Sequence, residues 1–138
     1  MRAVEKLNLF YGGSHILWDL DLNVETGACA CLMGRNGVCK TTLLHCLMGL
    51  LPVASGSIRY KGRELTREHA EHRARSGIGF VPQGRMIFPL LSVAENLQIG
   101  LGANRNRLRQ VPDLVFELFP VLADMRTRRG GDLSGGQQ

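Results

Sequence analysis

Aromatic side chains are scarce in this chain: five Phe, two Tyr and one Trp among 138 residues. No apolar run approaches the roughly eighteen residues that a membrane span needs. The longest, Leu47 to Ala54, is interrupted by Gly49 and Pro52. The first ten residues, MRAVEKLNLF, lack the charged-then-apolar layout of a secretory signal. Both absences predict a soluble cytoplasmic protein. Cysteine is limited to positions 29, 31, 39 and 46, a C-x-C-x7-C-x6-C spacing without the paired C-x2-C arms of a zinc site. Without a signal layout a disulfide framework is not expected, and Cys29 and Cys31, inside the run ACACLM, read as small buried strand residues. His69 and His72 stand at helical spacing in a polar segment, which reads as a solvated helix face and not a metal site. Acidic residues are also few. Twelve Asp and Glu against seventeen Lys and Arg leave a net charge of +5 and a pI near 9.4. The excess lies in Arg59–Arg75, Arg105–Arg109 and Arg126–Arg129. It invites a nucleic-acid reading, but no aromatics interleave in the last two clusters, and solvated faces or a surface that meets phosphates explain it as well.

What remains is a globular composition, 44% apolar and 21% charged, in a chain long enough to bury roughly two-thirds of its unfolded surface. Trp18, Leu20, Leu22 and Val24 alternate with Asp19, Asp21, Asn23 and Glu25, the period-two pattern of a half-buried strand. Val4–Phe10 reads as a weaker strand across Gly12-Gly13-Ser14. Ala28–Met33 is apolar throughout, as a strand covered on both faces would be. Leu43, Leu44, Leu47, Met48 and Leu51 then mark the buried face of a helix that Pro52 ends. Ser57–Tyr60, Lys61-Gly62 and Arg63–Leu65 read as a hairpin, Thr66–Ser76 as helix-permissive, and Ile78–Val81 as a second short buried strand. Beyond Pro89 helix signals take over: the capping box Ser92-x-x-Glu95 opens a helix through Leu101, and Pro112-Asp113 precedes another with Leu114, Val115, Leu118 and Phe119. There is no internal repeat.

Between Ala28–Met33 and the following helix lies Gly34-Arg-Asn36-Gly37-Val38-Cys39-Lys40-Thr41-Thr42. The phosphate-binding loop pattern is G-x-x-x-x-G-K-[ST]. Its backbone N–H groups and the positive N-terminus of the next helix surround phosphate oxygens, a lysine neutralises charge, and a hydroxyl reaches magnesium. Every position fits except that Cys39 stands where the second glycine belongs. A Cβ there should crowd the phosphates or distort the loop at about 1–3 kcal/mol, enough to weaken nucleotide binding tenfold or more. A second anion candidate is Ser134-Gly135-Gly136-Gln137, whose Ser-x-x-Gln spacing is a capping box that would open a helix.

The pairing of G-R-N-G-V-C-K-T-T with L-S-G-G-Q-Q, with Val81-Pro82-Gln83 between them, resembles the nucleotide-binding subunit of an ATP-binding-cassette (ABC) transporter. The resemblance runs from residue 2 to the last. Tyr11-Gly-Gly-Ser-His-Ile-Leu, Cys46-Leu-Met-Gly-Leu-Leu-Pro, Pro82-Gln-Gly-Arg-Met-Ile-Phe-Pro and Phe116-Glu-Leu-Phe-Pro are similar to the branched-chain amino acid and urea importer group. Gly-Gly-Ser-His and Pro-Gln-Gly-Arg favour the urea-type member. The resemblance implies an α/β fold: a P-loop core with an antiparallel β subdomain over residues 1–83 and a helical subdomain over 84–138. It implies ATP and Mg2+ as cofactors. Tyr11 would stack on adenine, and Asn36–Thr42 would hold the phosphates. Within that loop Lys40 would meet the β- and γ-phosphates and Thr41 the magnesium. Gln83 would touch magnesium and the attacking water. Leu133–Gln137 would clamp, centrally through Ser134, the γ-phosphate held by the other subunit of a head-to-tail dimer. The expected partners are that second subunit and transmembrane permease subunits, with no nucleic acid, at the inner face of the cell membrane.

After its signature the family continues with an apolar strand ending in Asp-Glu and then a switch histidine, none of which follows Gln138 here. Val121-Leu122-Ala123-Asp124 follows a proline, lacks the Glu and falls in the helical region. The resulting expectation is a cassette truncated before that strand, with little or no turnover, since phosphoryl transfer rests on positioned charges and metal. Two other classes stay open on the residues alone. One is a non-catalytic module docking on a membrane subunit. The other is a nucleic-acid binder driven by the +5 charge, which salt-dependent binding would reveal.

Overall fold

The computed structural model describes residues 2–84, 86–102 and 108–138. Arg85 of the Pro-Gln-Gly-Arg motif, and Arg105 and Arg107 of the basic run 105–109, lie outside the described residues. The chain divides into two compact units, Met1–Ala74 and Arg75–Gln138.

The first unit is built on a four-stranded antiparallel sheet in the order β2-β1-β3-β4, from β1 (Arg2–Tyr11), β2 (Ser14–Val24), β3 (Ser55–Tyr60) and β4 (Arg63–Glu64). The expected hairpin forms around Lys61-Gly62, and β1 and β2 pair as a second one across Gly12-Gly13. The helix α1 (Lys40–Met48) sits between β2 and β3 in the chain, and α2 (Ala70–Arg75) follows β4. Val4, Leu7, Leu9 and Leu17 from the first hairpin, Ile58, Tyr60 and Leu65 from the second, and Leu43, Cys46 and Met48 from α1 are buried. Each fully buried aliphatic side chain contributes about 1.5–3 kcal/mol.

The phase of β2 differs from the alternation read in the sequence. Leu17 is buried, whereas Trp18, expected to face inward, is 70% exposed. The register shifts between Leu7↔Leu20 and Leu9↔Leu17, and Asp19 takes a left-handed φ of 40°. An extra residue there turns the strand over. Asn8 fastens the bulge: its amide donates to Asp19 Oδ1 at 2.8 Å and Lys6 O at 3.0 Å, while its Oδ1 accepts the Asp19 N–H at 3.0 Å. His15 Nε2 also meets that oxygen at 2.8 Å, its ring stacked between Phe10 and Trp18.

Two expected strands are not formed. Ala28–Met33 is in no ladder, and every residue in it is exposed, Cys29 and Cys31 included; Met33 is 84% exposed. In the second unit Ile78–Val81 is likewise unpaired, with Val81 86% exposed. An apolar run becomes a strand only when neighbouring strands take up its N–H and C=O groups, and no strand among the described residues flanks either run. The helix signals fare better. α1 stops at Gly49, whose left-handed φ of 72° lets the N–H groups of Gly49 and Leu50 reach Cys46 O and His45 O. The stop is this glycine and not Pro52. Leu44, expected on the buried face, is exposed.

In the second unit α3 (Val93–Leu101) carries the complete capping box, with Glu95 N–H on Ser92 Oγ at 3.2 Å and Ser92 N–H on Glu95 Oε2 at 2.7 Å. The Ser92 hydroxyl, which donates to Glu95 Oε2 at 2.7 Å, and with it the Ser92 N–H hold the Glu95 carboxyl below its usual pKa. The helices α4 (Asp113–Leu118) and α5 (Val121–Asp124) follow, so Val121–Asp124 is a single helical turn, as its preceding proline implied.

Candidate nucleotide-binding loop and signature segment

Residues 34–39 form a loop of turns that opens directly into α1. The Val38 N–H points at Arg35 O at 3.5 Å, and Lys40 folds back so that Nζ donates to Gly34 O at 2.7 Å and Arg35 O at 2.6 Å. The lysine therefore closes the loop around its own ammonium. The N–H groups at the start of α1 have no intrahelical acceptor, its first turn holds no acidic side chain, and Asn36, Gly37 and Thr41 are exposed. Free donors, a cation, a hydroxyl and the positive end of a helix converge here, a donor set that suits phosphate oxygens and a magnesium ion.

Cys39 is the N-cap of α1 with φ 61° and ψ 22°, the left-handed region, and its thiol makes only a 3.7 Å contact to Gly37 O. Cys39 thus holds a left-handed backbone that glycine takes freely and a residue with a Cβ resists.

Tyr11 ends β1 beside the Gly12-Gly13 turn, half exposed, in the same unit as the loop. Gln83, in the second unit, is exposed at a turn before Gly84. The signature segment lies in that unit too. Residues 126–131 run along the start of α3, where Val93 N–H meets Arg128 O at 2.8 Å and Gly130 N–H meets Leu91 O at 2.8 Å. A 3-10 turn (Gly130–Asp132) leads to buried Leu133. Ser134, Gly135 and Gly136 are exposed, and Gln138 Nε2 anchors the segment on Gly130 O at 3.1 Å and Leu133 O at 3.2 Å. Only one arm of the expected capping box is present, Ser134 N–H on Gln137 Oε1 at 3.0 Å, and residues 135–137 form a turn and not a helix.

Sequence reasoning missed Arg73, which is 2% exposed beneath the C-terminal end of α1. Burial pushes its pKa down against the attraction of Cys46 and Glu68. Beside it, burial lifts the Cys46 thiol from 9.0 to about 11, with Arg73 pulling the other way. Because the folded chain favours the neutral thiol, this group stabilises the fold fully below pH 9.0 and less as pH rises towards about 11. Urea midpoints taken on both sides of that window should fall with pH more steeply for this chain than for Cys46→Ala, whose curve lacks this contribution. Equal slopes would remove the thiol from the account.

A P-loop opening a helix, an antiparallel sheet before it and a helical unit ending in Leu-Ser-Gly-Gly-Gln define an ATP-binding cassette. Residues 17–138 match the family model described as ABC transporter. The chain is 39% identical over its whole length to the high-affinity branched-chain amino acid transport ATP-binding protein BraG of Pseudomonas aeruginosa, spanning 60% of that protein. It is 34% identical to the LivF protein of Archaeoglobus fulgidus, described as a probable branched-chain amino acid transport ATP-binding protein, again over its whole length and 59% of the relative. Among solved structures it superposes on the dimeric bacterial cassette MJ0796 with a TM-score of 0.79 at 22% identity, covering 99% of this chain and 65% of that one. The chain belongs to the ABC transporter family of ATP-binding proteins. It spans about 60% of the length of the two relatives. Among the described residues no helix is long and apolar enough to cross a membrane.

Proposed function

We propose that these 138 residues form the nucleotide-capturing part of the ATP-binding subunit of an ABC importer. One observation carries the reading: the loop 34–39 wraps the Lys40 ammonium at the N-terminus of α1, where unpaired N–H groups and Thr41 face solvent. In this reading residues Asn36–Thr42 hold the phosphates of ATP, Thr41 and Gln83 serve magnesium, and Tyr11 covers the adenine. Leu133–Gln137 reach the γ-phosphate bound by a second copy or homologue in a head-to-tail dimer. The organisation is a β subdomain and P-loop core over 1–83 and a helical subdomain over 84–138. The role assigned to these residues is ATP capture. The partners are transmembrane permease subunits, with the protein peripheral to the inner face of the membrane. The two relatives support branched-chain amino acids as the solute, and Gly-Gly-Ser-His with Pro-Gln-Gly-Arg supports urea. Docking on a membrane subunit without turnover is a second reading, favoured by Leu114, Leu118 and Phe119, each more than half exposed.

The experiment is titration calorimetry with magnesium-ATP on the chain carrying Cys39→Gly, with and without Lys40→Ala. Losing a charged donor to phosphate should weaken binding by about tenfold or more. Identical isotherms would overturn the site.

A further inference from the structure

Arg73, itself on α2, donates to backbone carbonyls of two other segments. Nη1 donates to Cys46 O at 2.7 Å and Leu47 O at 3.0 Å, Nη2 to Thr66 O at 3.0 Å, and Nε to Glu68 O at 2.9 Å. Among the described residues no carboxylate lies within ion-pair distance of it; the neighbouring Glu68 side chain is taken by Arg63 at 2.9 Å and His72 at 3.3 Å. The cation thus sits on the carbonyl end of α1, where the helix dipole is negative, and ties it to the segment after β4 and to α2. Its space depends on Gly49, where a Cβ would stand 2.8 Å from Nε and 2.9 Å from Glu68 O. A planar fork with several donors is the side chain best suited to such a set of carbonyls.

The helix gripped in this way is the one whose other end carries Lys40, Thr41 and Thr42. It has nine residues, a rod of about 13 Å. Leu43, Cys46 and Met48 pack one side of this rod into the core, Arg73 ties its last turn, and its loop end is under backbone strain at Cys39. We propose that Arg73 is a positioning residue for the phosphate loop: by clamping the last turn of α1 it fixes the helix axis, and with it the direction of the Lys40–Thr42 N–H groups and the seat of the lysine. The inference rests on the nucleotide reading of the loop for its consequence, but the clamp itself is testable without nucleotide.

The test uses the full chain with Cys39→Gly, and on that background Arg73→Met and Arg73→Lys, with Lys40→Ala as the control for the loop. Two quantities are measured: amide hydrogen exchange over 36–45 compared with β2, and magnesium-ATP affinity. Arg73→Met should speed exchange across 36–45 by about tenfold or more while β2 is unchanged, and weaken ATP by about tenfold, with Arg73→Lys between it and the parent in both. A purely local role would accelerate only residues 46–50 and 66–73 and leave ATP affinity intact, and that result would overturn the proposal. Should the parent and the Lys40→Ala chain both fail to bind ATP, the nucleotide reading falls, and exchange over 36–45 alone decides the clamp. If Arg73→Met does not fold, Arg73→Lys carries the same comparison, since it keeps the charge and loses the fork.

Discussion

Replacing Cys39 by glycine is expected to tighten magnesium-ATP binding by tenfold or more. In the folded chain Cys39 holds φ 61° and ψ 22°, a conformation that costs a residue with a Cβ about 1–2 kcal/mol. Glycine takes it freely, at the cost of about 0.5–1 kcal/mol of extra backbone entropy in the unfolded chain. The net gain in stability is therefore small, of the order of 0.5–1 kcal/mol by the same two terms. The larger effect falls on binding. In the proposed reading the thiol stands where the backbone would come close to phosphate oxygens, and its contact to Gly37 O at 3.7 Å does not hold it aside. Calorimetry on the two chains separates these effects from each other, because affinity and melting temperature should change by very different amounts. Equal affinities would mean that the loop tolerates a side chain at this position.

Gly56→Ala should destabilise the first unit by about 3 kcal/mol or more. Gly56 lies in β3 opposite the irregular stretch of β1 between Glu5 and Asn8, with φ 95°. A Cβ built there would meet Lys6 O, Glu5 O at 2.7 Å and Leu7 Cα at 2.7 Å. These are main-chain atoms of the neighbouring strand and cannot swing away as a side chain could. The substitution must force the two strands apart or move Gly56 out of the left-handed region, and either route breaks ladder bonds beside Leu7, which is completely buried. Gly13→Ala is the control: it has nothing within 4 Å and no left-handed φ, and should leave the urea midpoint nearly unchanged. If Gly56→Ala behaved like Gly13→Ala, the close strand approach at Gly56 would not be a feature of the folded chain in solution.

Features carried by a few consecutive residues were legible. The hairpin turns, the Ser92–Glu95 capping box, the loop 34–42 with its helix, and the rejection of Val121–Asp124 as a strand each depend on contacts within about one helical turn or one tight turn. Such contacts are written in local residue types. The loop before α1 was legible for a further reason: the phosphate chemistry proposed for it is mostly backbone, so spacing of Gly34, Lys40 and Thr41 is enough to state that proposal. Where a residue's state depended on something distant, local pattern misled. Trp18 sits in a clean alternation, yet a bulge fastened by Asn8, ten positions away, turns it outward. Ala28–Met33 has the composition of a buried strand, but composition supplies no partner for its N–H and C=O groups.

By itself, then, the sequence determined the family, the Lys61-Gly62 hairpin and the helices α1 and α3. It also located the loop, the lysine and the signature segment that chemistry would use. Only the tertiary structure decided that Cys39 is held in a left-handed conformation, that Cys46 is sealed from solvent, and that Arg73 is buried under α1. The reason is one of range. Arg73 reads as one more charge on a polar helix because two of the four carbonyls that accept it belong to residues 26 and 27 positions earlier. Those two stretches meet only when the chain has folded.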